Sequence, residues 1–172
     1  MTDYPTSITG LPSGRKILVR LRDVLDLAAA ELPEDHAVHG TTFVIDRSFE
    51  EPFSEAESLA GAVAIRLVDT TRTAWDHTTL LHRGEVKFDI GVAENGVNSI
   101  GDRAAHIDAW MINVLHADIT LGGIAKDLES KSLTADEQQG AEAGIALSAL
   151  AVSWLTPRTD LFTIIGPFGP IS

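Results

Sequence analysis

The middle of the chain constrains its fold more than any other part. An alternating strand at residues 85–92 (EVKFDIGV) leads into an amphipathic helix at residues 99–115. The helix ends in a turn that contains the pair Gly122 and Gly123, and an apolar strand at residues 145–154 closes the run. This order supplies two strands of a sheet, a helix to cover them and a tight turn between. It predicts an α+β fold.

The two strands differ in how they alternate. The first alternates between apolar and charged side chains, which is typical of a sheet with one face in water. Its inward residues are Val86, Phe88, Ile90 and Val92, and its outward residues are Glu85, Lys87 and Asp89. The closing strand is apolar on both faces, so we expect it to lie in the middle of the sheet.

The rest of the chain adds a second helix and further strands. Apolar residues at three- and four-residue spacing predict a helix that begins near Ser13 and ends before Pro33. Further strands are predicted at residues 41–45, 61–70 and 78–93, with an ambiguous one at 124–132. We therefore predict a single domain with a mixed or antiparallel sheet of about four to five strands and two main helices on one face.

Two polar stretches are predicted to be loops. Residues 46–60 are acidic and contain Pro52, with a short helical turn near Ser54 as an alternative to an extended loop. Residues 134–143 are also polar and acidic. A turn or hairpin is expected at residues 70–77.

The domain is predicted to span residues 1–157, followed by an apolar tail at 158–172 that is rich in glycine and proline. The tail either folds back on its own domain or docks on a partner, because its apolar side chains would promote association if they stayed exposed. Its candidate interface residues are Leu161, Phe162, Ile165 and Phe168.

Composition excludes several classes of function. The 172 residues contain no cysteine, which removes thiol catalysis and zinc–thiolate sites. The net charge of −12 argues against nucleic-acid binding, because such binding needs clustered lysine and arginine side chains. We expect neither a signal peptide nor a membrane span, because the N-terminus is polar and the apolar runs are short.

Charge is unevenly distributed along the chain. The first helix carries Arg15, Lys16, Arg20 and Arg22, and the stretch that follows is strongly acidic and includes Glu50 and Glu51. Cations in the first turn of a helix oppose its dipole, so helix stability does not explain Arg15 and Lys16. We hypothesise that this basic patch meets the acidic stretch of a neighbouring subunit.

Nothing in the sequence requires catalysis, a metal or a cofactor. The six histidines lack the spacing of a metal site, and none of the common nucleophile or phosphate-loop motifs is present. Trp110 and Trp154 fall in the strongest helix and strand and are expected in the core. Trp75 lies in a loop, where an aromatic side chain is either an interface anchor or packing at the end of the sheet.

The segment from residue 86 to residue 155 resembles the tail terminator, or tail completion, proteins of long-tailed phages. The likeness rests on four features: the strand 86–92 (VKFDIGV), the helix through 105–109 (AHIDA), the run 115–123 (LHADITLGG) and the closing strand 149–154 (ALAVSW). The acidic stretch at 46–60 and the tail after Pro157 depart from the family pattern.

The resemblance implies an α+β fold with helices packed on a mixed sheet. It also implies a homohexameric ring, a structural virion protein without enzymatic activity, that ends polymerisation of the tail tube protein and joins the tail to the head–tail connector proteins. DNA would pass through the lumen of that ring without specific binding. The chain would be made in the host cytoplasm and reside in the tail or neck of the virion.

Two alternatives stay open. The chain could be another neck, head–tail connector or tail tube protein. It would then still act through subunit contacts but with a different partner. It could instead be a small hydrolytic or ligand-binding α+β protein, which a deep pocket with buried ionisable groups would favour.

Overall fold

The computed structural model of the chain describes residues 3–48, 51–136 and 143–172. These residues form three helices, which are α1 (Ser13–Ala30), α2 (Glu55–Ala60) and α3 (Ile100–Ala117). The predicted amphipathic helices correspond to α1 and α3. The turn expected near Ser54 is α2, which begins with a capping box between Ser54 and Glu57.

The strands form one mixed sheet and a small hairpin. The main sheet contains β1 (Thr42–Val44), β2 (Ala62–Ala74), β3 (Thr79–Ala93), β4 (Asp127–Asp136) and β5 (Ala143–Pro157). Their order is β1-β2-β3-β5-β4, in which β1 runs parallel to β2 and every other pair is antiparallel. The C-terminal hairpin consists of β6 (Ile164–Gly166) and β7 (Gly169–Ile171). The predicted α+β class is confirmed.

The core lies between the sheet and the two long helices. The predicted inward residues of β3 are all fully buried: Val86, Phe88, Ile90 and Val92. In β5, Leu150, Val152 and Trp154 point into the same core, and β5 lies between β3 and β4 as its apolar pattern predicted. From α3, Ala104, Ile107, Met111 and Leu115 are buried against this layer.

The ends of the helices follow their local chemistry. The cap of α3 is Ser99, whose hydroxyl accepts a hydrogen bond from the Asp102 backbone at 3.2 Å. The helix predicted to begin near Ser13 has Ser13 as its first residue, and Pro12 occupies the cap position. The Ser13 hydroxyl instead accepts a hydrogen bond from Trp154 Nε1 at 3.0 Å, which joins α1 to the sheet.

Trp154 packs closely against His82 and Gly84 in the core. The indole is buried and stacks on the buried imidazole of His82, with ring centroids 5.1 Å apart. Gly84 lies beneath them, and a Cβ there would be 2.7 Å from Leu67 Cδ1, so a side chain would force the packing apart. Trp110 is half-buried and stacks on Phe43 at 5.9 Å.

Two predicted boundaries were wrong. β2 continues to Ala74, beyond the expected end of that strand, and pairs with β3 in one long hairpin. Residues 134–136 belong to β4, although they were predicted as loop; the rest of that predicted loop up to residue 142 lies outside the described residues. Strand β4 pairs through its backbone with β5 and needs no apolar alternation for that, so its polar end at residues 134–136 carried no strand signal.

Candidate assembly surfaces

Lys16 and Arg20, two members of the predicted basic patch, are buried within the chain. Lys16 is 0 % exposed and donates through Nζ to the Ile171 carbonyl at 3.1 Å. Arg20 donates to the Leu121 carbonyl at 3.3 Å, and its guanidinium lies 3.7 Å from the centroid of the Tyr4 ring. These two side chains therefore hold α1 against other parts of the same fold and are not available as a surface patch.

Arg15 and Arg22 are also paired with groups of their own chain. Arg15 Nη2 lies 2.6 Å from Asp46 Oδ1, so the contact between this helix and the acidic stretch is made here within one subunit. Arg22 Nη2 lies 2.7 Å from Oδ1 of the buried Asp23. Whether either residue also contacts a neighbouring subunit stays a prediction.

The acidic stretch is organised around Arg47. Its guanidinium lies 2.8 Å from Glu57 Oε1 and 4.2 Å from the centroid of the Phe53 ring. The side-chain hydrogen bond from Arg47 and the bonds with Ser54 lower the pKa of Glu57 to about 2. Glu51 is exposed, whereas Glu50, the other predicted interface acid, lies outside the described residues.

Phe53 borders an apolar groove of about 530 Å³ on the outer face of the sheet. The groove lies between the 47–53 segment and the outward side chains of β5, in which Ile145 is 45 % and Leu147 is 42 % exposed. At its rim the guanidinium of Arg66 contacts both carboxylate oxygens of Asp89, at 2.7 and 2.8 Å. The charges of Arg66 and Asp89 therefore neutralise each other within the chain.

Trp75 lies at the turn of the β2–β3 hairpin and is 52 % exposed. The turn is closed by Asp76, whose carboxylate accepts hydrogen bonds from the backbone of Thr78 at 2.7 Å and Thr79 at 2.8 Å. The backbone hydrogen bond from Thr78 is the main cause that lowers the pKa of Asp76. Lys126 Nζ lies 5.0 Å from the centroid of the Trp75 ring. The turn thus presents an aromatic side chain on a backbone held by these hydrogen bonds.

The C-terminal residues fold back on their own domain, which is the first of the two arrangements considered for them. Ile164 is fully buried in the core, and the Leu161 carbonyl accepts a hydrogen bond from the Ser13 backbone at 3.0 Å. Ile165 is half-buried. Phe162 remains 52 % exposed, and Phe168 is completely exposed in the turn between β6 and β7. The segment therefore has a buried side and an apolar outer side.

One residue that matters here, Arg103, could not be identified from the sequence. Arg103 is buried and donates to the carbonyls of Ser58, Leu59 and Ala93, which ties α3 to α2 and to the end of β3. No sequence signal distinguishes it from an exposed helical arginine. The exposed apolar residues Ile145 and Leu147 could be anticipated, because the sequence pattern of β5 is apolar on both faces.

The described residues contain no group of three or more histidine, cysteine, aspartate or glutamate side chains placed to hold a metal ion. Within the same ranges, none of the helices combines the length and the apolar character that crossing a bilayer requires. No protein-family model matches this chain, and no curated protein matches it.

Proposed function

We propose that this chain is a structural subunit that forms a ring with copies of itself and acts as a phage tail terminator. In that role it would end polymerisation of the tail tube protein and join the tail to the head–tail connector proteins. The proposal combines the resemblance in residues 86–155 with the character of the exposed surface.

The observation that carries the proposal is the exposure of large apolar side chains on two hairpin turns and on the outer face of the sheet. Trp75 projects from the β2–β3 turn, Phe168 from the β6–β7 turn, and Ile145 and Leu147 lie beside the groove on the sheet. Aromatic residues are enriched at protein–protein contacts, where they contribute much of the binding free energy.

The positions of these groups favour a ring over a two-fold dimer. A subunit that uses different surfaces for its two neighbours makes heterologous contacts, which close into a ring when the rotation between subunits permits. The resemblance gives six as the expected number of subunits. The net charge of −12 is consistent with a lumen that repels phosphate, so DNA would pass without being held. The site of action would be the tail or neck of the virion.

The first test is the mass of the assembly in solution. Light scattering and native mass spectrometry of the purified chain are expected to give six times the mass of the 18.4 kDa chain. A species that stays monomeric across the concentration range, including in the presence of tail tube protein, would contradict the proposal.

The second test separates a terminator from a tube or connector protein. Added to polymerising tail tube protein, the chain is expected to shorten the tubes and to appear at their ends in electron micrographs. Trp75→Ala should weaken this effect, and Thr73→Ala in the same exposed hairpin provides a matched control. Incorporation along the whole tube would instead identify a tube protein.

A further inference from the structure

The C-terminal segment carries an uncharged and fully exposed aromatic side chain. Residues 161–172 contain no charged side chain, although 22 % of the whole chain is charged. In the β6–β7 hairpin Gly166 pairs with Gly169, so the turn between them consists of Pro167 and Phe168. Phe168 is completely exposed, and no other large apolar side chain in the described ranges is exposed to the same degree. We call the Pro167–Phe168 turn the aromatic knob.

The backbone that carries the knob is held in place. Gly169 has φ 119°, a left-handed conformation that other residues rarely adopt, and the rings of Pro167 and Pro170 fix their own φ angles. The Ile171 carbonyl accepts a hydrogen bond from Lys16 Nζ at 3.1 Å, which ties the hairpin to α1. A group on a fixed backbone loses little conformational entropy when it binds, so the knob is suited to be an anchor.

The groove beside Phe53 has the apolar character that such a knob requires. Three of its lining side chains are large, apolar and exposed: Val68, Ile145 and Leu147. Phe53 forms one wall, and its ring lies so close to Gly91 that a Cβ there would overlap it. The volume of about 530 Å³ is within the usual range for pockets that hold small molecules, so it has room for one aromatic ring. We call this feature the sheet groove.

The charged side chains that line the sheet groove are largely paired within the chain. The ion pairs are Arg47–Glu57 at 2.8 Å, Arg66–Asp89 at 2.7 Å and Lys87–Glu85 at 3.8 Å. Glu51, the remaining charged residue of the lining, is exposed to solvent. A ring that enters the groove therefore covers paired charges rather than isolated ones, and paired charges lose less on burial.

Two other large cavities are less suited to an uncharged knob. The cavity beside Trp75 is lined by Asp127 and Glu129, neither of which forms an ion pair within the described ranges. The cavity beside His82 is lined by Arg72, which likewise has no carboxylate partner among those residues. Covering an unpaired charge with an apolar ring would remove its hydration without replacing it. The sheet groove avoids this cost.

The knob and the sheet groove lie far apart within one folded chain. A Cβ at Gly123 would lie 3.5 Å from Pro167 Cδ, and three residues further on the Lys126 backbone donates to the Ser153 carbonyl at 2.7 Å. Ile145 in the groove and Ser153 are separated by 153 − 145 = 8 residues of β5, which is about 26 Å at about 3.3 Å per residue. The hairpin also lies on the helix side of the sheet, where α1 contacts it, whereas the groove is on the outer face.

We propose that the aromatic knob of one copy inserts into the sheet groove of the next. The inference rests on the proposed function for the existence of the ring, and it names the two surfaces that make the contact. Because these surfaces differ and lie on opposite faces of the sheet, the contact is heterologous, the type that closes into a ring when the rotation permits. A fully exposed phenylalanine offers about 200 Å², against about 800 Å² that each partner buries in a standard interface. The knob is therefore the anchor of a contact that also includes the hairpin and the rim around it.

Single aspartates test each surface. Phe168→Asp places a charge on the knob, Leu147→Asp places one in the groove, and Val97→Asp places the same charge on an exposed apolar residue outside both surfaces. All three positions are exposed, so the circular dichroism spectrum and the melting temperature should stay near those of the wild type. Phe168→Asp and Leu147→Asp are each expected to raise about tenfold or more the protein concentration at which light scattering detects assembly. Val97→Asp should assemble like the wild type.

A cross-linking experiment tests whether the two surfaces meet. The chain has no cysteine, so single cysteines can be introduced without background. Pro170→Cys lies beside the knob and Ser48→Cys lies at the groove, and both positions are exposed. The two variants are mixed in equal amounts with a short bismaleimide, at a concentration at which the wild type assembles. Mass spectrometry should then detect covalent dimers that contain one chain of each. His106→Cys, at an exposed position of α3 on the helix side, replaces Ser48→Cys in the control and should give few such dimers.

The outcomes separate this contact from the ring itself. Wild-type rings that tolerate both Phe168→Asp and Leu147→Asp overturn this inference alone. So do rings in which Pro170→Cys cross-links to Ser48→Cys no better than to His106→Cys, or in which Pro170→Cys by itself gives the same yield of dimers, since that would indicate a two-fold contact. A wild-type chain that stays monomeric overturns the proposed function, and this inference with it.

Discussion

Replacing Ile164 by alanine tests whether the C-terminal hairpin is part of the folded domain. Ile164 is 0 % exposed and belongs to the main hydrophobic core, although it lies beyond the predicted domain boundary at residue 157. Phe168 in the same hairpin is fully exposed. The two positions therefore separate what the hairpin contributes to folding from what it contributes to binding.

The expected loss follows from the atoms removed. Isoleucine to alanine deletes three carbon atoms, which is about 2.4 kcal/mol at roughly 0.8 kcal/mol for each buried methylene. The cavity left behind adds to this, so the free energy of unfolding should fall by about 2–5 kcal/mol. For a chain of this length, that corresponds to a decrease of roughly 5–15 °C in melting temperature. Phe168→Ala should change the free energy of unfolding by less than about 0.5 kcal/mol.

Urea unfolding followed by tryptophan fluorescence measures both variants, at one fixed protein concentration because association stabilises the folded state. The wild type and Phe168→Ala should share one midpoint, and Ile164→Ala should unfold at lower urea. Equal midpoints for all three proteins would show that the hairpin is not packed into the core, and the reasoning from burial would be refuted.

Two other buried groups give further predictions. Burial, and to a lesser degree Arg72, lowers the pKa of His82 below its usual 6.5, so the unfolded chain binds more protons as pH falls below that value. Stability contributed by neutral His82 should therefore be complete above pH 6.5 and decline below it, by at most about 1.4 kcal/mol per pH unit, and His82→Gln should flatten the pH dependence of the urea midpoint. Arg103→Met removes the donors to three carbonyls and should lower the free energy of unfolding by about 2–5 kcal/mol, against less than about 0.5 kcal/mol for the exposed Arg83→Met. Equal losses in those two variants would contradict the role given to Arg103.

Much of the fold followed from local periodicity. The alternation in β3 and the three- and four-residue spacing in α1 and α3 identify which side of each element is buried, because the period of an element determines which residues share a face. Ser99 caps the helix predicted to begin there for an equally local reason, whereas the cap that Ser54 provides for α2 appeared only in the structure. In contrast, the polar strand β4 has no such period, so its sequence indicated only an ambiguous strand at residues 124–132, and its pairing with β5 defines its extent.

The candidate surfaces were harder to predict than the fold. The aromatic residues Trp75, Phe162 and Phe168 were identified from their place in turns and in the tail, and all three are exposed. The predicted basic patch on α1 is not an unoccupied surface, because each of its side chains contacts another group of the same chain.

By itself, the sequence determined the class of the fold, the inward faces of its main elements and the acidic character of the molecule. Only the tertiary structure determined which charged side chains bind groups of their own chain. Lys16 and Ile171 are 155 residues apart, and Arg20 and Leu121 are 101 residues apart, so no local pattern could have paired them. A buried cation needs an acceptor to offset its lost hydration, and the position of that acceptor depends on the packing of the whole chain.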